Sequence, residues 1–458
     1  MNRHKIRKRT MYAIVLLFAF GVGMFVFRFF RKGKDWAFYQ TNQHIYHSGM
    51  LSNAGAVTDR EGVMLSDTVD SVRVYNESSD IRKATIHVAG DHEGFVSTGV
   101  TNAWRDKLVG YSNINGVYTL SGKGNSAELT ISSQISVAAM KALGDSAGCV
   151  GVCNYKTGEV LCMVSTPTYD IKDINQYEKA KNGELGSVFV NRFISSSYTP
   201  GSTFKIVTAA AAIETLGNEA YEKTQLCNYG TVIEDETLSC MGKHRTVVLE
   251  RAFSHSCNSF FSNTALNLGK NTMTKYAEMF GFNKTFYIDN IACGKSSYTV
   301  KDARNIDFGW SGIGQYTNLM NPVQYLCMVS AIANGGEYKE PYFVHCIRDS
   351  SGYITYKANP KTISMIKKET AEKLSLLMDF AVKDNYGKAT FGTLDVCAKT
   401  GTAEVGQDKE NSLFIGFCKD SELPLAFVVV AEGGGSGRKS AMNIANKTLQ
   451  AAKKTLLE

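Results

Sequence analysis

Ser202 and Lys205 stand three residues apart, directly after Pro200-Gly201. A serine hydroxyl is a weak nucleophile until a base removes its proton. A lysine can be that base when burial lowers its pKa. The spacing puts both side chains on one helix face, one turn apart. The segment that follows, Ile206–Ile213, is apolar on all sides and predicts a buried helix. Pro-Gly supplies the turn that starts it. Ser202 then sits at a helix N-terminus, where free N–H groups and the helix dipole favour negative charge. The same spacing recurs at Ser364–Lys367 and Ser436–Lys439, but neither pair introduces a Pro-Gly-led apolar helix. Taken alone, Ser202 reads equally well as a helix N-cap.

Two further elements carry chemistry. Ser256-Cys257-Asn258 is a short loop able to pass a proton and hold a substrate amide. Alone, it reads first as a polar helix start before Ser259-Phe260-Phe261. Lys399-Thr400-Gly401-Thr402 lies on a strand predicted to begin at Val396. Lys399 can bind a carboxylate, and Thr402 can offer a backbone N–H to an oxyanion. Gly401 permits a ligand to approach the strand closely. A second Lys-Thr-Gly at 156–158 reads as a hairpin turn, because it lies between two apolar, β-branched runs, Cys149–Asn154 and Glu159–Ser165.

These side chains need a scaffold. Val396–Thr402, Leu413–Cys418 and Leu425–Ala431 read as three more strands, and Ala441–Leu457 as a closing helix. Ile131–Leu143 has helical apolar spacing, and residues 200–390 are mostly helical in pattern. Strands at both ends with helices between them predict one antiparallel sheet built from both termini, an α+β fold. Residues 31–127 are polar and mixed, with short alternating runs such as Ala84–Val88, and read as a small β-rich stalk.

The 458 residues allow two or three domains, and 44% hydrophobic with 20% charged residues indicates a sizeable core. The net charge of +7 does not indicate nucleic acid. Residues 1–34 hold nine Lys/Arg and no acid, and without them 41 basic residues face 43 acidic ones, a balance of −2. The basic excess flanks Met11–Phe27, an uncharged apolar run extended by Phe29 and Phe30 past Arg28. That length spans a bilayer, and Arg3, Lys5, Arg7, Lys8 and Arg9 ahead of it keep the N-terminus cytoplasmic. A cleaved signal peptide needs small residues after the apolar core; large ones and Arg28 follow instead, so the run reads as an uncleaved anchor. The layout is therefore a tail at 1–10, an anchor at 11–30, a stalk at 31–127 and a catalytic domain at 128–458.

Eleven cysteines are scattered along the chain. The absence of a Cys-x-x-Cys pair argues against a zinc site. Most read as small buried apolar residues. Cys227 and Cys240 bracket a Gly-containing polar segment on the exported side; a disulfide there and two free thiols are open alternatives.

The order of the three motifs is the signature of class A β-lactamases and penicillin-binding proteins. Residues 128–458 closely resemble the penicillin-binding transpeptidases. Tyr198-Thr-Pro-Gly-Ser-Thr-Phe-Lys205 is very like that family's nucleophile segment. Gly151–Asp170, with Thr166-Pro-Thr-Tyr-Asp170, resembles its first hairpin. Gly312–Gln315, Asn321-Pro322 and Ala331–Gly336 resemble the helical segment behind its active site. Leu413-Phe-Ile-Gly-Phe417 resembles the strand after Lys-Thr-Gly. Gly55–Gly62 resembles the opening of the class B, monofunctional members. Ala54 stands where that family often has Arg, Asn321 where it often has Thr, and Ser412 where an aromatic is frequent. The 97 residues of 31–127 are too few for the glycosyltransferase domain of bifunctional members.

The resemblance implies a five-stranded antiparallel sheet flanked by helices, and peptidoglycan D,D-transpeptidation without cofactor or metal. Ser202 would attack the penultimate D-Ala carbonyl of a stem peptide, with Lys205 as base. Ser256 would relay a proton to the departing D-Ala, and Asn258 would position the donor backbone. The N–H groups of Ser202 and Thr402 would hold the oxyanion; Lys399, Thr400 and Thr402 would bind the terminal carboxylate. An amine from a neighbouring stem peptide would resolve the acyl-enzyme, and β-lactam antibiotics would trap it. A polytopic glycan polymerase is the membrane partner implied by analogy. The rivals are a β-lactamase or D,D-carboxypeptidase using water as acceptor, a β-lactam-sensing receptor, a Ser-His hydrolase with His255 as base, and a catalytically dead scaffold. The anchor and the Gly55–Gly62 opening argue against the first. A single span argues against the receptor, the lack of Gly-x-Ser-x-Gly around Ser202 against the hydrolase, and the intact motifs against a dead scaffold.

Overall fold

Five strands whose residues are almost all buried form the central sheet: β1 (Gly148–Asn154), β2 (Val160–Thr166), β3 (Val396–Glu404), β4 (Glu410–Cys418) and β5 (Leu425–Ala431). The computed structural model describes residues 2–458 except 40–41, 43–45, 48–49, 52, 118–122 and 407–408. The sheet order is β3-β4-β5-β1-β2, antiparallel throughout. Val428 pairs with Gly151, so the two ends of the domain meet at the centre of the sheet. Such runs are buried on both faces because helices cover both.

On one face lie α2 (Ser133–Leu143) and α6 (Ala441–Leu457), packed on one another and on the sheet. On the other lies α5 (Pro322–Ala333), eleven of whose residues are buried, against β4, β5 and β1. Beside it run α3 (Lys205–Leu216) and the helix Lys368–Ala381, which packs on β3. α4 (Asn258–Leu268) packs on α3. The predicted hairpin, the three C-terminal strands and the closing helix are all present. Lys156-Thr157-Gly158 is the β1–β2 turn, with Gly158 at φ 84°.

Two departures from the family pattern serve the scaffold. Asn321 caps α5: its Oδ1 accepts the Val323 N–H at 3.0 Å, and its Nδ2 donates to the Ile194 and Ser196 carbonyls at 2.8 Å each. Ser412 Oγ accepts the Ala441 N–H at 3.0 Å, tying β4 to the start of α6.

The N-terminal region differs from the expectation in two ways. Ala84–Val88 is not a strand but lies within the helix Ser79–Ala89. Nearly every residue of its second half is buried, so its apolar pattern has no face to reveal, and five residues cannot separate period 2 from period 3.6. Nor is the β-rich part a separate unit. Its sheet runs 354–357, 344–348, 126–129, 57–58, 64–69, 72–75, so two of six strands come from far along the chain. Arg82 and Asp170 lock the helix Ser79–Ala89 to the segment after β2, with Nε–Oδ1 and Nη2–Oδ2 both at 2.6 Å. Parts of 31–127 lie outside the described residues.

At the N-terminus, α1 (Asn2–Ala37) contains Arg3–Ala37, a helix long and apolar enough to cross a membrane; its most apolar window buries nothing inside the protein.

Candidate active site

Pro200 and Gly201 start a single 3-10 turn, Gly201–Phe204, that feeds α3 at Lys205. Ser202 therefore stands on the tight turn one step ahead of the α-helix. Gly201 has φ 51°, and a Cβ there would lie 2.4 Å from the Thr402 carbonyl oxygen. Only glycine lets the serine turn press this closely on β3. Gly401 serves the same contact from the strand side: a Cβ on it would meet Thr203 Cγ2 at 2.9 Å and the Pro200 oxygen at 3.0 Å. Its role is thus to admit the serine turn rather than a ligand. Gly201 N–H donates to the Gly314 carbonyl at 2.9 Å, and Thr208 Oγ1 to that of Gly312 at 2.6 Å. The Gly312–Gln315 segment therefore braces the serine turn and α3 from behind.

Lys205 is fully buried, and its Nζ is surrounded by oxygen. Ser202 Oγ lies at 3.1 Å, Ser256 O at 2.6 Å, Ser256 Oγ at 3.0 Å and Asn258 Oδ1 at 2.7 Å. An ammonium has three hydrogens for these four acceptors. A neutral amine keeps a lone pair, which can accept the Ser202 hydroxyl. Burial is the main force that pulls the Lys205 pKa down to about 7, and the charge of Lys399 adds to it.

Ser256 adopts φ 56°, a left-handed conformation that is rare for a residue with a Cβ. It turns both its carbonyl and its hydroxyl onto Lys205. Asn258 begins α4, and its Nδ2 donates to the Ser239 carbonyl at 3.0 Å. Lys399 projects from β3, fully buried, with Nζ 3.1 Å from Ser256 Oγ and 3.0 Å from the Thr400 carbonyl. Its pKa is lowered to about 7 by burial. Thr402 Oγ1 accepts the Gly437 N–H at 3.2 Å. All three motifs thus converge on one hydrogen-bonded cluster. In the other two Ser-x-x-Lys pairs the serine does not start a helix: Ser364 ends a short strand, and Ser436 lies in the loop before α6.

Sequence reasoning missed Tyr386. Its hydroxyl oxygen accepts the Thr400 N–H at 3.2 Å and lies 3.0 Å from Thr400 Oγ1. It comes from a π-helical turn, Val382–Tyr386, that no local pattern announces. Beneath the Ser256–Asn258 loop, Cys227, Cys240, His244 and Cys257 bring their donor atoms within 4.8 Å of one another. Cys227 and Cys240, like the other nine cysteines, are free thiols in the structure. Donors from four separate places meet in space, a pattern that adjacent-cysteine spacing cannot register.

The model of the penicillin binding protein transpeptidase domain matches residues 148–450. The chain belongs to this family. The matched residues begin at β1 and run into α6, enclosing every strand of the central sheet and all three motifs. The peptidoglycan D,D-transpeptidase PbpA of Mycolicibacterium smegmatis is 28% identical over 400 residues, covering 78% of this chain and 80% of that protein. The crystal structure of the D,D-transpeptidase domain of a peptidoglycan glycosyltransferase from Eggerthella lenta superposes with TM-score 0.77 at 26% identity, over 88% of this chain and 99% of that one. Penicillin-binding protein A of M. tuberculosis, as a ceftriaxone acyl-enzyme complex, shares the fold at TM-score 0.77 and 23% identity, over 89% and 99%.

Proposed function

We propose that the chain is a peptidoglycan D,D-transpeptidase that works through a Ser202 acyl-enzyme. The observation that carries this reading is the position of Lys205 Nζ, 3.1 Å from Ser202 Oγ and in contact with Ser256 and Asn258. Neutral Lys205 takes the Ser202 proton as Oγ attacks the penultimate D-Ala carbonyl of a stem peptide. Negative charge on the carbonyl oxygen is met by the backbone N–H groups of Ser202 and Thr402. The peptide C–N bond breaks as Ser256 hands a proton to the leaving D-Ala nitrogen and takes up the one held by Lys205, 3.0 Å away, which leaves Lys205 neutral again. The ester on Ser202 is then attacked by an acceptor amine, which loses its proton to Lys205 and returns Ser202 to its hydroxyl form. Lys399, with Thr400 and Thr402, holds the terminal carboxylate; Asn258 orients the donor backbone. A β-lactam presents the same acyl and carboxylate groups and leaves a stable adduct.

The apolar α1 anchors the chain as a single span, N-terminus in the cytoplasm, with Ser202 on the wall side. A polytopic glycan polymerase in the same membrane is the partner that would supply glycan strands. Labelled penicillin incubated with the purified chain should modify Ser202 alone. No adduct on folded protein, or an adduct that persists in Ser202→Ala, overturns the reading.

A further inference from the structure

Three cysteines and one histidine meet directly under the second motif. Cys227 ends the short strand Gln225–Cys227, and Cys240 follows the strand Glu236–Ser239. His244 precedes the strand Arg245–Val247, whose Arg245 pairs with Cys227. Cys257 is the residue between Ser256 and Asn258, at the start of α4. The three thiols are buried, and His244 is partly so.

The distances describe a polyhedron. His244 Nδ1 lies 3.6 Å from Cys227 Sγ and 3.4 Å from Cys240 Sγ. A tetrahedral ion with sulfur ligands at about 2.3 Å and a nitrogen ligand at about 2.0 Å has S–N edges of about 3.5 Å. One ring nitrogen therefore faces two sulfurs at the separation a shared ion requires. A disulfide would use two of these sulfurs and leave the third sulfur and the imidazole without a purpose. The surroundings suit thiolates: Asn258 N–H donates to Cys240 Sγ at 3.2 Å, and Ser259 Oγ donates to Cys227 Sγ at 3.4 Å. Such donors to ligating sulfur are the usual outer contacts of a thiolate metal site.

We infer that Cys227, Cys240, His244 and Cys257 bind one Zn²⁺ ion that fixes the Ser256–Asn258 loop against α3. Soft thiolates with one imidazole in tetrahedral array select zinc. Four protein ligands leave no open position, so the ion is structural and does not touch substrate. It does two things. It closes the small-stranded segment 225–247, whose strands are three or four residues long, into a rigid platform. It also holds Cys257 from below, so that the residues on either side, Ser256 and Asn258, keep their bonds to Lys205. The left-handed Ser256 is the residue most in need of that hold.

The test uses the full-length chain in detergent, prepared with reductant. Metal analysis is expected to find one zinc per chain. Exchange for Co²⁺ should give the intense visible bands of a tetrahedral cobalt–thiolate site. Cys227→Ser and His244→Ala should lose the stoichiometric metal, and Cys293→Ser should keep it. Removing the ion by chelation should slow acylation by labelled penicillin roughly tenfold or more, with recovery on adding zinc back. Metal content and cobalt spectrum are read without penicillin, so they stand whether or not the transpeptidase reading does. Absence of stoichiometric zinc together with an octahedral cobalt spectrum, or a disulfide between any two of the three cysteines in the freshly purified chain, overturns the site. Unchanged acylation in metal-free, folded protein overturns its positioning role.

Discussion

Lys205 and Lys399 reach the same oxygen: Ser256 Oγ lies 3.0 Å from one Nζ and 3.1 Å from the other. Two buried ammonium groups sharing one hydroxyl disfavour each other's charge, beyond the effect of burial itself. Burial lowers both pKa values to about 7, and the charge of Lys399 adds to the fall at Lys205. Lys205 must lose its proton to act as base, so acylation by penicillin rises with pH through the neutral range. Lys399 must keep its proton to hold a carboxylate, so the rate falls again at higher pH and the profile is bell-shaped. Lys399→Met should remove the descending limb and shift the ascending limb to higher pH, since Lys205 no longer faces a second charge. Lys205→Met should lower the rate roughly 10³-fold at every pH. Rapid-quench acylation across the pH range reads all three; an ascending limb unmoved by Lys399→Met would refute the coupling.

Tyr386 supports Thr400 through two contacts of its hydroxyl. Tyr386→Phe keeps the ring packed against Phe414 and deletes only the oxygen. Loss of about 1 kcal/mol of hydrogen bonding predicts roughly fivefold weaker acylation efficiency. The fall should appear in apparent affinity for the β-lactam, with the pH profile unmoved. A shifted profile would mean that Tyr386 acts on the lysines instead.

The Arg82–Asp170 pair joins the N-terminal region to the segment after β2. Burial pushes the Asp170 carboxyl upward, but the hydrogen bonds from Arg82 and Ser79 outweigh it and hold the pKa at about 2. A depressed carboxylate gives stability that is complete above its unfolded value, near pH 4, and lost as pH falls toward 2. Arg82→Met leaves a carboxylate buried without its partner and should cost roughly 3 kcal/mol at neutral pH. Urea unfolding of the two proteins measures this; a difference below experimental scatter would show that the pair is not what joins the regions.

His87 titrates in a different window. It is buried, and its Nε2 bonds the Val188 carbonyl at 2.7 Å. Burial lowers its pKa to about 4. The unfolded chain, with an ordinary histidine, takes up a proton first as pH drops. Stability is therefore full above about pH 6.5 and declines as pH falls from there toward 4. His87→Gln, which cannot titrate, should remove that decline while leaving the Asp170 loss below pH 4 in place. Thermal melts across mildly acidic pH separate the two groups; an unchanged slope in His87→Gln would assign the decline elsewhere.

The sheet and its closing helix were legible because their strands are long, apolar and rich in β-branched residues, and because Gly158 and Pro200-Gly201 mark the turns. The convergence of the three motifs on one hydrogen-bonded cluster was legible through their order, though no single motif separated a nucleophile from a helix cap. What stayed hidden depends on contacts between distant segments. Ala84–Val88 alternates by chance inside a helix buried all round. Tyr386 has no sequence context that points to Thr400. The side chains of Cys227, Cys240, His244 and Cys257 become neighbours only when short strands fold back beneath α4. Gly401 was read as space for a ligand, whereas the space is filled by Thr203 and Pro200.

The pairing of β1 with β5 fixes an order of events during synthesis. Residues 148–154 leave the ribosome more than 270 residues before their partner at 425–431. The strand at 126–129 likewise waits for 344–348. The central sheet cannot close until residue 431 has been made, and the second sheet waits for residue 357. Until then β1 presents an uncharged, unpaired edge, the kind of surface that seeds aggregation. A truncation before residue 425 should therefore accumulate as aggregate rather than as a smaller folded enzyme.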